Sequence, residues 1–264
     1  MKTMRNISLM AAALAVLATG SASAATWTYS STGPASNSGL TATASAYSAA
    51  NNTTATMTAT TAYYSGGLGV YTAGVDPLDS WGNPTSPNHA IDNNGAIETV
   101  MISFSDGVNG ITSADKVKLT SVKFGWISGD SDFSVYAYTG SSAAPSPLGL
   151  TYSNLTSNGW TLINHYNGGS SYPAYPNLNT SVYSSHWLIG AYNGLGSGLD
   201  QGDDYFKLAS VTGYKCPTSG TIPKECNGVP SQGGVPEPGT LLLMGAGLFG
   251  LLRINRQRGV RCAA

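Results

Sequence analysis

The stretch "KVKLTSVKFGWI", residues 116–127, carries apolar side chains at Val117, Leu119, Val122, Phe124 and Trp126. Every-second-residue spacing is the period of a strand with one buried face. The five cannot share a face, because the parity switches between Leu119 and Val122. A bulge or bend is therefore expected near Thr120. The same reading extends outward to "ETVMISF" (98–104), "DFSVYAYTG" (132–140), "GWTLINHY" (159–166), "HWLIGAY" (186–192) and "YFKLASVTGY" (205–214), each bounded by Gly, Asn, Asp or Pro. Upstream lies the uncharged tract "LTATASAYSAANNTTATMTATTAYY" (40–64), whose alternation is clearest from Thr54 to Ala62. Thr and Tyr favour strands, and strand is the preferred reading, although the composition also suits a sugar-decorated disordered stalk. Short strands with turn signals and no amphipathic helix between them predict an all-β fold, an antiparallel β-sandwich or jelly roll.

Charged residues make up 9% of the 264-residue chain, against about 25% in ordinary soluble domains. Between Ala25 and Val235 six lysines face twelve carboxylates and there is no arginine. An acidic, arginine-free body excludes nucleic acid as a partner, because phosphate contacts need clustered Lys and Arg. Small polar ligands, cations and surface polymers suit it better.

Both ends have the composition of targeting segments. Residues 1–24 place Lys2 and Arg5 before an apolar run from Leu9 to Ala18 and then Ala22-Ser23-Ala24, the order of a signal peptide cut by signal peptidase between Ala24 and Ala25. Residues 235–261 run Pro236-Glu237-Pro238, an apolar helix over 240–252, then Arg253, Arg256, Arg258 and Arg261. Twelve apolar residues reach only about 18 Å, a marginal transmembrane span that needs snorkelling arginines. The arginines would act as a stop-transfer cluster, held in the cytoplasm by the positive-inside preference while the body lies outside.

This tripartite tail resembles a PEP-CTERM sorting signal, which is found on exported proteins of Gram-negative bacteria. The resemblance implies an exosortase partner that cleaves at or near Pro236-Glu237-Pro238, an inner-membrane-anchored precursor, and a body delivered to the cell surface or extracellular matrix. A second resemblance lies in the body. "GGLGVYTAG" (66–74), "SPNHAIDNNGAIETVMISF" (86–104) and "VKFGWISGDSDFSVYAYTG" (122–140) look like the exosortase-dependent surface protein family, which adds no enzyme class.

The expected organisation is a signal peptide (1–24), a Thr/Ala-rich strand region (25–65), a β-sandwich body (66–215), a Cys/Pro/Gly linker (216–234) and the sorting signal (235–261). An oxidising compartment, with no metal-ligand pattern nearby, favours a disulfide between Cys216 and Cys226.

Three loops concentrate acidic and amide side chains: "AIDNNG", "SGDSDFS" and "GLDQGDDY". Asn and Asp close local turns, so the plain reading is turn chemistry. The functional reading is a structural calcium ion held by Asp92, Asn94 and Glu98 with Asp130 and Asp132, although no loop follows the twelve-residue EF-hand pattern. Trp81, flanked by Ser80, Gly82 and Pro84, and His89 are candidate ligand contacts, since an exposed indole can stack on a sugar ring. No HExxH or Gly-x-Ser-x-Gly motif is present, and no catalytic residue is assigned. The resulting expectation is a non-catalytic structural or adhesive protein in an exopolysaccharide-rich biofilm matrix. The alternative is a calcium-dependent carbohydrate-binding module, with a secreted hydrolase behind both.

Overall fold

The computed structural model describes residues 23–227 apart from 51, 109–111, 113–114, 143–144, 197, 201 and 218–221. Twelve strands follow in chain order: β1 (Ala25–Thr28), β2 (Ala35–Asn37), β3 (Leu40–Ala50), β4 (Thr58–Tyr64), β5 (Leu68–Tyr71), β6 (Ile91–Asp92), β7 (Ala96–Ser105), β8 (Val117–Ile127), β9 (Phe133–Tyr138), β10 (Trp160–Tyr166), β11 (His186–Ala191) and β12 (Tyr205–Lys215). They form one curled antiparallel sheet, a half-barrel, with the main path β1-β12-β5-β4-β3-β7-β11-β9-β10. The all-β expectation holds. The uncharged 40–64 tract holds two strands, β3 and β4, and β3 pairs with β7 from Thr41 opposite Ser105 to Ala50 opposite Ala96.

The sheet turns its corner through β4. Thr58–Thr60 pair with β3, whereas Thr61–Tyr64 pair with β5, so one strand belongs to both halves. On the far half, β12 pairs with β8 along one edge and divides its other edge among β1, β5 and β6.

The parity break in residues 116–127 has a structural cause. Leu119 pairs with Gly213 and Ser121 with Thr212, leaving Thr120 as the extra residue of a bulge. Val117, Leu119, Val122 and Phe124 are therefore all buried. A second irregularity falls at Gly125, since Phe124 pairs with Leu208 but Trp126 with Lys207. This break turns Trp126 off the core face, where the Lys207 ammonium sits 5.0 Å from its ring. Only glycine fits at this break, because a Cβ on Gly125 would lie 2.1 Å from the Gly66 carbonyl oxygen.

The concave side encloses the larger core, with Trp27, Phe104, Phe124, Phe133, Trp187 and Phe206 among its largest members. Trp27 packs edge-on to Phe104 at 4.8 Å, and its indole N–H donates to the Leu40 carbonyl. The opposite face of β3, β7, β9 and β11 is covered by a second cluster that includes Met57, Met101, Tyr152, Leu155 and Trp160. Two short 3-10 turns, Tyr152–Asn154 and Thr156–Asn158, carry Tyr152 and Leu155 onto that face. Strands β7, β9 and β11 are thus buried on both sides over nearly their whole length, which is why β11 runs apolar from Trp187 to Ala191.

Trp187 ties the halves together. It is fully buried on β11, and its indole N–H donates to the carbonyls of Val117 and Ser184, at 3.2 and 3.0 Å. Trp187→Ala is expected to cost about 3–5 kcal/mol of stability, the range for emptying a buried aromatic site. Urea unfolding followed by tyrosine and tryptophan fluorescence measures it, and a loss below about 1 kcal/mol would contradict this role.

Candidate functional site

One end of the curled sheet gathers the acidic loops, as the strand registers require. Gly190 of β11 lies opposite Thr99 and Ser134, Tyr205 of β12 opposite Asp92, and Phe206 opposite Ile127. Three connections cross there: the turn 92–95, the segment 128–132 and the loop 193–204. They are the three acidic loops singled out in the sequence, remote along the chain and adjacent in space.

The turn 92–95 contributes to one carboxyl group. Glu98 is completely buried; Oε1 accepts from the Thr72 hydroxyl at 2.6 Å and Oε2 from the Asp92 amide at 3.3 Å. Asp92 Oδ1 accepts from the Asn94 amide, while its Oδ2 is buried without a partner. Asp76 joins from the β5–β6 connection, with Oδ2 taking the Thr72 amide and Oδ1 unpartnered. Asn94 turns its side chain to the Tyr205 hydroxyl at 2.8 Å.

The second group consists of Asp130, Asp132 and Asp200, each with a ligand atom within 4.8 Å of the others. A reciprocal amide–carboxylate pair joins the two groups. Asn93 Nδ2 donates to Asp204 Oδ2 at 2.6 Å, the Asp204 amide donates back to Asn93 Oδ1 at 2.8 Å, and Asp204 Oδ1 accepts the Asp132 amide at 2.7 Å. Of the residues expected to hold calcium, Asp92, Asn94 and Glu98 thus fall in one group and Asp130 and Asp132 in the other. Asp200 and Asp204 belong to the third acidic loop, which the sequence marks as a further calcium candidate, whereas no sequence signal announces the burial of Asp76.

Burial dominates the electrostatics. It pushes Asp92 up to about 8, with the charges of Asp76 and Asp203 adding to it and the Asn94 N–H opposing. Glu98 is raised well above the carboxylate range by burial and then by the charge of Asp92. Asp204 rises to about 8 by burial against the hydrogen bond from Asp132, and Asp132 to about 6 by burial and then by Asp130 and Asp200.

His89 lies in a different setting. Its Nε2 receives a hydrogen bond of 2.6 Å from the Lys207 ammonium, and its ring meets Tyr63 edge-on. Burial lowers Lys207 to about 8 and moves His89 down as well, which keeps the imidazole neutral and able to accept. Trp81 is 85% exposed. It stands on a turn fixed by Asp79, whose Oδ1 accepts the amides of Trp81 and Asn83 at 2.9 and 2.8 Å.

Two Ser–His pairs occur among the described residues: Ser185 Oγ lies 3.0 Å from His186 Nδ1 on the neighbouring residue, and Ser134 Oγ lies 2.9 Å from His165 Nδ1. Ser134 is buried, and His165 Nε2 has no partner, so no carboxylate orients the ring. Cys216 and Cys226 are joined by a disulfide, and both are buried. Ala24 is exposed, and Ala25 is the buried first residue of β1.

Residues 234–257 match the family model of the PEP-CTERM protein-sorting motif. The chain carries a PEP-CTERM sorting signal. Such a signal marks an exported protein that is sorted by an exosortase and anchored in the membrane at its C-terminal end. No curated protein and no solved structure matched the chain. The PEP-CTERM match takes in Pro236, Glu237, Pro238, Arg253 and Arg256, while Arg258 and Arg261 follow it. All of these lie outside the described residues, as do most of the expected signal peptide and the apolar helix 240–252. Among the described residues no helix is long and apolar enough to cross a membrane.

The raised carboxyl groups make stability depend on pH. Folded Asp92 keeps a proton that the unfolded chain releases near pH 4, so stability falls as pH rises from about 4 towards 8, by roughly 1.4 kcal/mol per pH unit for one such group. Glu98 acts in the same direction, and Asp76 and Asp203 add like charge at Asp92. In chelator, the urea midpoint at pH 8 is expected to lie below that at pH 5. Asp92→Asn should flatten the slope, and an unchanged slope in the variant would refute the assignment.

Proposed function

We propose that the PEP-CTERM protein delivers a non-catalytic β body, read as a sandwich whose layers join through β4, to the cell surface or extracellular matrix, where it adheres to exopolysaccharide. The observation that carries this reading is Trp81. A tryptophan 85% exposed on a turn braced by Asp79 keeps a large flat apolar face in water, ready to stack on a sugar ring without prior ordering. Asp79 and Asn83 beside it supply hydrogen-bonding groups for ring hydroxyls. Tyr172 and Tyr175, 60% and 57% exposed, add aromatic surface of the same chemistry. The body's resemblance to exosortase-dependent surface proteins points the same way.

A second reading is a calcium-dependent carbohydrate-binding module. Its support is that Trp81 and the buried Asp76 belong to the same β5–β6 connection, and that Asp76 reaches the carboxyl group around Glu98 through Thr72.

Two measurements test the proposal. Trp81→Ala is expected to leave the melting temperature within about 1 °C, since the ring is exposed, while reducing retention on the producer's own exopolysaccharide by about tenfold. Equal retention of variant and parent would remove Trp81 from the binding surface. Mass spectrometry of the mature C-terminus is expected to find the chain cut near Pro236-Glu237-Pro238 only in cells with an active exosortase. An intact arginine-rich tail in both strains would refute the sorting route.

A further inference from the structure

The segment 128–132 and the loop 193–204 meet at Asp130, Asp132 and Asp200, where each of three carboxylates brings a ligand atom within 4.8 Å of the other two. Calcium–oxygen bonds of about 2.4 Å place oxygens on opposite sides of one ion about 4.8 Å apart, so all three fit one coordination sphere. The spacing alone would be ordinary for surface acids. Asp132 makes this cluster different: it is 1% exposed, and its Oδ1 is buried with no hydrogen-bond partner. An unpaired buried carboxylate oxygen costs several times what a satisfied one does, and a protein retains such a group when a ligand completes it. The charges of Asp130 and Asp200 repel Asp132, and one backbone hydrogen bond, from Gly168, opposes them.

We propose that Asp130, Asp132 and Asp200 form a calcium site that clamps the β8–β9 connection to the β11–β12 connection at the acidic end of the sheet. Calcium is favoured over magnesium because the ligands are all oxygens and come from two loops of unequal exposure. Magnesium requires a near-ideal octahedron at about 2.0–2.1 Å, whereas calcium accepts irregular spheres of six to eight oxygens, with water filling the positions beside the exposed Asp200. The surrounding backbone is already fixed for the ion. Asp132 N is held by Asp204, Asp132 O by the Tyr192 amide, and Asp130 O by the Tyr205 amide. Ser131, between two ligands, donates its hydroxyl to Gly169 O at 2.6 Å and its amide to Asp130 Oδ1. On the other side, Asp200 Oδ1 accepts the Gly202 amide at 2.8 Å. The site is independent of the adhesive reading, since neither Trp81 nor Asp79 takes part.

The test uses the purified full-length chain, stripped with chelator and titrated with calcium chloride by calorimetry, with thermal melts at each end point. Saturable binding of a single calcium ion is expected, with a rise in melting temperature that the same concentration of magnesium chloride does not produce. Asp200→Asn, at an exposed position whose change does not threaten the fold, is expected to weaken binding by about tenfold or more while keeping the apo melting temperature. Asp92→Asn, in the neighbouring carboxyl group, should bind as the parent does. Absence of calcium binding by the parent would overturn the proposal. So would unchanged affinity in Asp200→Asn, or a loss confined to Asp92→Asn, which would move the ion to the other group.

Discussion

The hydrogen-bond ladder of β12 holds the fold together. A buried strand must find partners for nearly every amide and carbonyl, and β12 does so along eleven residues with β8 on one edge and three short strands sharing the other. A straight ladder would not follow the curl of the sheet. The register breaks at Thr120, Gly125 and Ala209 supply the bends, and each changes which side chains face inward. The position of the first strand, the pairing of β5 and β6, and the orientation of Phe206 and Leu208 in the core all depend on it.

That arrangement also explains why so much unpaired acidity collects at one end. The starts of β7, β9 and β12 and the ends of β8 and β11 are brought side by side by pairing, so their connecting loops have no other place to lie. The asparagine at 93 and the carboxylate at 204 exchange two hydrogen bonds and thereby weld two of these loops together. Little of the fold's apolar burial is available to the loops themselves; they are held by charge-assisted and amide contacts, which are stronger in a poorly hydrated setting and expensive when incomplete.

Much of the architecture could be read from the residues. Most strands followed from alternation and turn composition, and the bulge at Thr120 followed from a parity error between Leu119 and Val122. Trp126 misled, because parity alone would return it to the face of Phe124, and the break at Gly125 arises from a close approach of Gly66 that no local pattern encodes. The candidate site was legible in its parts but not as a whole. Asp/Asn density marked all three loops, yet their meeting depends on pairing between residues about a hundred positions apart. Glu98 looked like the polar start of a strand, and its complete burial is a property of the loop from β5 that closes over it. His89 looked like a ligand contact because Lys207, its partner, lies on a strand far along the chain.

The strand on which the rest depends is also the last to be made. A chain threaded outward from its N-terminus presents β1, β3 and β7 to the far side of the membrane well before β12, and the first strand must wait with an open edge for residues almost two hundred positions later. Contacts of such long separation form slowly. Along the chain, β12 ends at Lys215 and the PEP-CTERM match begins at residue 234, so the strand that closes the body lies next to the sorting signal in sequence. In a chain sorted from its C-terminal end, the sheet is thus incomplete until the residues nearest the sorting signal are in place.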